Sequence, residues 1–234
     1  MFTTRLTRAF VASALAIAGA ATGSAAAAPA GFAPHTTFGH GSSSFAGGNW
    51  GGYASQGDWT TATASWTEPS VTCRSTNDLF APWVGIDGYG STTVEQTGVA
   101  TDCSSGSPVY QAWYEMYPAP PSYYSNPISA GDHFTATVTR TGNSYKLDIT
   151  DTTKGWTQTH TESLAAQHSS AEAIIESPTD SYPAINGGVT FTGVRFNGQA
   201  LGSTNPQALD ADDQKSGTFH PGPVNGDSFT ISRQ

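Results

Sequence analysis

The stretch HFTATVTRTGNSYKLDIT, residues 133–150, has a period of two on both sides of a single turn signal. Phe134, Ala136 and Val138 alternate with Thr135, Thr137 and Thr139. Beyond the turn, Tyr145, Leu147 and Ile149 alternate with Lys146, Asp148 and Thr150. In an extended chain successive side chains point to opposite faces, so each run puts its apolar residues on one face and its polar residues on the other. Gly142-Asn143 suits a tight hairpin turn. The stretch therefore predicts a half-buried antiparallel hairpin over 133–140 and 145–150.

The same signature extends outward. Val189–Phe196 and Ser228–Ser232 read as strands, and Asn197-Gly198 is a second hairpin signal. From Trp59 onward no run of eleven or more residues carries a helical stripe. Threonine-rich strands at short spacing predict an all-β chain, an antiparallel β-sandwich of two packed, curved sheets. Residues 49–234 fit one such domain. Residues 203–227 carry turn residues and few apolar ones, which predicts a long loop with one short strand.

Residues 1–28 read as a secretory signal. Arg5 and Arg8 supply the basic start, Ala9 to Ala21 the apolar run, and Ser24 to Ala28 the small residues a cleavage site needs. The run is too short to span a bilayer, so the expectation is a secreted, extracellular protein with no membrane attachment once the signal is removed. Residues 29–48, rich in Gly, Ala and Ser, read as a linker or short propeptide. Cys73 and Cys103 are the only cysteines, and in an exported chain they predict a disulfide. The closed loop would contribute about 3–4 kcal/mol in the chain-entropy account.

Composition excludes a nucleic-acid partner. The net charge is −9, and removal of residues 1–28 leaves 7 cations against 18 carboxylates. Charged residues make up 12%, about half the usual share. Polarity comes instead from 26 serines and 32 threonines.

No GxSxG elbow, HExxH helix or Asp-Thr-Gly triplet is present, and no cofactor or metal is expected. His133, His160, His168 and His220 are scattered. On 109–118, Trp113, Glu115 and Tyr117 share one strand face, either the wall of a ligand cleft or an ordinary amphipathic strand. On 170–176, Glu172 and Glu176 share a face about 13 Å apart, too far to act as a carboxylate pair. Periodicity does not choose between them.

Together these segments resemble the glutamic peptidases, also called eqolisins, as a secreted member of bacterial type. The resemblance runs through Asn49-Trp50-Gly51-Gly52, Trp83-Val84-Gly85-Ile86-Asp87-Gly88, Gln96-Thr97-Gly98, Ala112-Trp113-Tyr114-Glu115-Met116-Tyr117-Pro118, Gly131-Asp132 and Ala171-Glu172-Ala173-Ile174-Ile175-Glu176. It covers residues 49–200. It implies a concanavalin-like sandwich and an acid-acting endopeptidase for protein or peptide substrates. It implies Gln96 and Glu176, not Glu172, as the catalytic pair, with Trp83, Glu115 and Tyr117 in the substrate cleft. Gln111 and Val99-Ala100 stand where the family often has Asp, a departure that bears on substrate preference and pH profile. Without the resemblance, a carbohydrate-binding or carbohydrate-hydrolysing β-sandwich fits exposed aromatics and acids as well. The chain is expected to act as a monomer.

Few cations mean few salt bridges to lose in acid, and hydroxyl hydrogen bonds do not titrate. Self-repulsion also shrinks as carboxylates are protonated. A melting series is therefore expected to give a higher Tm at pH 4 than at pH 8; a Tm that rises toward alkaline pH would contradict this.

Overall fold

A computed structural model describes residues 45–213 and 217–234. The expected secretory signal, residues 1–28, and nearly all of the 29–48 segment lie outside the described residues. The strands are β1 (Phe45–Gly48), β2 (Trp50–Gln56), β3 (Thr61–Thr67), β4 (Val71–Thr72), β5 (Leu79–Ile86) and β6 (Val94–Asp102). They continue with β7 (Val109–Tyr117), β8 (Ser122–Tyr123), β9 (His133–Thr141), β10 (Ser144–Asp151), β11 (Trp156–Ser163) and β12 (Ser170–Glu176). The last are β13 (Ala184–Ile185), β14 (Val189–Phe196), β15 (Gln199–Ala200), β16 (Gln207–Asp213), β17 (Gly217–Pro221) and β18 (Phe229–Arg233). Among the described residues the only helical piece is a 3₁₀ turn at Leu201–Ser203.

The 133–150 hairpin forms as β9 and β10, with Thr141 opposite Ser144 across the turn. Gly142 has a positive φ, which a two-residue turn matched to strand twist requires. Asn197 and Gly198 both have positive φ between β14 and β15, the type I′ pattern. The 203–227 segment differs from its expectation, because it contributes two strands, β16 and β17. Leu209, Ala211 and Phe219 are its buried apolar anchors. Pairing with β2 and β18 compensates for their small number.

One hydrogen-bonded path runs β11-β10-β9-β3-β14-β18-β17-β16-β2-β12-β5-β6-β7-β8, and all of its pairings are antiparallel. The path folds over on itself. β9, β10, β3 and β14 pack face to face on β5, β6 and β12, which makes the expected sandwich. Phe80, Val84, Ile86, Val99, Ala173 and Ile175 on one layer meet Trp66, Phe134, Val138, Leu147, Ile149 and Phe191 on the other. A second apolar cluster of Trp50, Trp83, Trp113, Ile174 and Leu209 covers the opposite face of the β2-β12-β5-β6-β7 layer. Every residue of β5 and β12 is therefore buried, whereas β3 keeps the alternation of a half-exposed strand. Cys73 and Cys103 are bonded, tying the segment before β5 to the end of β6.

Nine carboxyl side chains are buried, of 18 in the sequence, so the acidity lies largely inside the fold. Six of them fall into two kinds. Asp78 and Asp132 sit beside turns, where burial works against their charge. Donors from Ser181, Arg74 and Ser75 at Asp78, and from Lys154 and Ser129 at Asp132, hold both below the ordinary carboxyl range. Glu68, Glu95, Glu115 and Glu172 lie on or beside strands, and burial pushes them up. Glu68, Glu95 and Glu115 rise to about 8, and Glu172 rises well above its ordinary value. Glu68 accepts from Trp66 Nε1 at 3.1 Å and Thr101 Oγ1 at 2.9 Å, which offsets only part of its burial.

A carboxyl whose folded pKa is raised stabilises the fold fully below its unfolded pKa. That stabilisation is lost as pH climbs through the folded value. Replacing Glu68 with Gln is expected to flatten the fall in urea-unfolding stability between the ordinary carboxyl pKa and about 8. An unchanged slope would mean that Glu68 is charged in the folded state.

Candidate active site

The register of the β2-β12-β5-β6-β7 layer builds the site. Residues paired across antiparallel strands share a face, so each row of partners is also a row of side chains. One row reads Ala54–Glu172–Gly85–Gln96–Glu115. The next reads Gly52–Ile174–Trp83–Gly98–Trp113. A third begins Trp50–Glu176–Ala81. All three lie on the face away from the sandwich core.

Two glycines make this packing possible. A Cβ on Gly98 would lie 2.3 Å from the Pro82 carbonyl oxygen and 2.6 Å from the Trp83 Cβ, so only glycine lets Trp83 lie there. A Cβ on Gly85 would lie 2.9 Å from the Trp83 ring, 3.1 Å from Glu172 Oε1 and 3.2 Å from the Gln96 Cβ. Gly85 is thus a gap over which three side chains converge.

Each Glu176 oxygen accepts from an uncharged donor. Asn49 Nδ2 donates to Oε1 at 2.8 Å and Trp83 Nε1 donates to Oε2 at 3.1 Å. Trp50 meets Trp83 edge to face, with ring centres 4.8 Å apart, and braces that indole. Gln96 Nε2 donates to Glu115 Oε2 at 2.6 Å. Burial raises Glu115 to about 8, with the Gln96 donor pulling the other way. Below that value Glu115 is a neutral acid whose carbonyl oxygen can still accept from Gln96.

Of the residues singled out in the sequence, Trp83 touches Glu176 and Glu115 touches Gln96. Tyr117 lies at the edge, packed against the second apolar cluster. Gln96 is level with Glu172 and not with Glu176, which lies four residues further along β12. The sequence reading missed Asn49 as a partner of Glu176, although Asn49 opens one of its motifs. It also missed Glu172 as a neighbour of Gln96, because a row across strands has no sequence spacing. Asp102, close to Val99-Ala100 in sequence, accepts from Ser104 N and Oγ. The four described histidines have separate partners, namely Thr67, Glu162, Tyr145 and Asp210. Among the described residues no three His, Cys, Asp or Glu side chains form a set that could hold a metal ion.

The family model "Peptidase A4 family" matches residues 48–233. Aspergillopepsin-2 of Aspergillus niger is 31% identical over 217 residues, covering 79% of this chain and 77% of that protein. The crystal structure of scytalido-glutamic peptidase with a transition state analog inhibitor superposes with a TM-score of 0.68 at 26% identity, covering 80% of this chain and 98% of that one. Aspergilloglutamic peptidase from Aspergillus niger gives 0.55 at 31% identity, covering 67% and 99%.

Glu115 tests the electrostatics directly. Its side-chain carboxyl ¹³C resonance is expected to titrate near the raised value of about 8. In Gln96→Leu the lost donor should push the midpoint higher still. A midpoint in the ordinary carboxyl range would contradict the buried, uncharged state.

Proposed function

The chain belongs to the peptidase A4 family, the glutamic peptidases, and from that premise we propose that Gln96 and Glu176 carry the hydrolysis of peptide bonds in its substrates. Members of the family are peptide hydrolases, and this chain is an endopeptidase. The carbohydrate-directed alternative has no comparable support.

Peptide hydrolysis needs an activated water, a stabilised oxyanion and a proton for the leaving amine. Glu176 takes a proton from water as general base and returns it to the amine nitrogen as general acid. Gln96 donates its amide N–H to the tetrahedral oxyanion, while its carbonyl oxygen orients the water. Glutamine does not titrate, so this donor persists in acid. Glu176 serves as a base only when ionised, and the nearby donors favour that form. The observation that carries the assignment is this pair of uncharged donors: Asn49 Nδ2 and Trp83 Nε1 each hold one Glu176 oxygen and favour its charged form.

Two strand spacings and four residues put the Cα atoms of Gln96 and Glu176 about 16 Å apart on a flat sheet. Both side chains must therefore lean toward each other over Trp83 to share a reacting centre. The Trp83 contact shows Glu176 leaning toward β5. Glu115, accepting from Nε2, fixes the plane of the Gln96 amide. Trp83, Glu115 and Tyr117, on the same face as Gln96 and Glu176, are the proposed substrate contacts.

We further propose that the protein is secreted and acts as a monomer in acidic surroundings. The N-terminal pattern and the Cys73–Cys103 bond support secretion, and the cation-poor composition supports acidic surroundings. No helix of the described residues is long and apolar enough to cross a membrane.

Gln96→Glu and Glu176→Gln are each expected to lower kcat on denatured protein in acid by at least about 100-fold, with Tm little changed. Near-normal turnover by either variant would overturn the assignment.

A further inference from the structure

Glu172 is a buried carboxyl to which the hydrolysis described above gives no part. It is fully buried, and neither of its oxygens has a partner in good hydrogen-bond geometry, the nearby Ser170 hydroxyl included. Its strand neighbour Glu176 has a donor on each oxygen. An unpaired buried polar group costs folding free energy, so its presence calls for a reason.

Its place supplies one. Glu172 lies in the row that holds Gln96, separated from it only by Gly85. Glu172 Oε1 and the Gln96 Cβ lie 3.1 and 3.2 Å from the point where a Gly85 Cβ would stand. The missing side chain brings the two residues together across an intervening strand. Glu115 flanks Gln96 on the other side. Gln96 is thus set between two buried carboxyl groups.

We propose that Glu172 is a positioning residue for Gln96: an uncharged carboxyl that packs against Gln96 across Gly85 and keeps negative charge away from the oxyanion that Gln96 stabilises. The inference rests on the assignment of Gln96 and Glu176 made above. Burial is the main reason for the neutral state, and the Asp87 and Glu95 carboxylates push the same way. The Ser170 hydroxyl at the start of β12 offsets this only in part. The other acids around the row are Glu115 on β7 and Glu176 further along β12. Once Glu172 ionises, a negative charge stands beside Gln96 and opposes the charge developing in the transition state. Glu172 would then set the upper pH limit of activity, while Glu176, which must be ionised, sets the lower.

The test compares kcat and KM of the active protein and of Glu172→Gln from about pH 2 to pH 8 on a quenched-fluorescent peptide cleaved by the wild type. Glutamine stays neutral throughout, so the alkaline limb of kcat is expected to move up by at least about one pH unit. Glu172→Ala, which removes the packing, is expected to lower kcat about 10-fold with little change in KM. In the wild type, the Gln96 side-chain ¹⁵N resonance should titrate with a midpoint matching the limb. Glu115 also touches Gln96 and titrates at about 8, so the same resonance is followed in Glu115→Gln, where the remaining step belongs to Glu172; this decides the matter even if Glu172→Gln fails to fold. An unmoved limb in Glu172→Gln, or a Gln96 resonance insensitive to pH, would overturn the proposal. If Glu176→Gln is inactive in the same series, the catalytic assignment still stands. A Glu172→Gln variant inactive at every pH beside an active Glu176→Gln would instead overturn that assignment, making Glu172 the base.

Discussion

The pairing of β12 between β2 and β5, with both of its faces buried, is the constraint on which the rest of this structure depends. Ala173 and Ile175 point into the sandwich core, while Glu172, Ile174 and Glu176 point to the site face. A slip of one residue would exchange the two sets. It would drive carboxyl groups against Phe80 and Val84 and move Ala173 and Ile175 onto the site face. Register is therefore held by the hydrophobic effect on one face, and the chemistry on the other face inherits that precision. The β5 and β6 partners extend the same register to Trp83 and Gln96, and β7 extends it to Glu115.

Burial on both faces has an electrostatic consequence. Strand glutamates that face the site or the core are removed from water, and few cations are available to compensate them. Glu68, Glu95, Glu115 and Glu172 remain in the fold as neutral acids because of burial, against donors such as Trp66, Thr101 and Gln96 that favour the charged form. Turn aspartates in the same protein are surrounded by backbone and hydroxyl donors and stay charged more easily. The scarcity of lysine and arginine is thus more than a surface property. A cation-poor interior leaves the buried glutamates neutral in acid and makes rising pH, more than falling pH, the threat to the fold.

Much of this was legible in the sequence, and the reasons are local. The period of two in 133–150 follows from strand geometry, so β9, β10 and their turn could be read residue by residue. β14 and the Asn197-Gly198 turn were legible for the same cause. β16 and β17 were not, since their apolar residues are few and long-range pairing stabilises them. The rows of the site were hidden too. Gln96 stands opposite Glu115 and near Glu172 through pairings between segments 19 and 76 residues apart, which no spacing along the chain encodes.

The sequence by itself determined the fold class, the cysteine pair and the family motifs, because alternation, turn chemistry and composition act over a few residues. Only the tertiary structure decided which groups meet. It put donors on Glu176, placed Glu115 and Glu172 on either side of Gln96, and drew half of the carboxyls out of water. Contact and desolvation depend on which strands lie side by side, and that is settled when the sheet closes over its core.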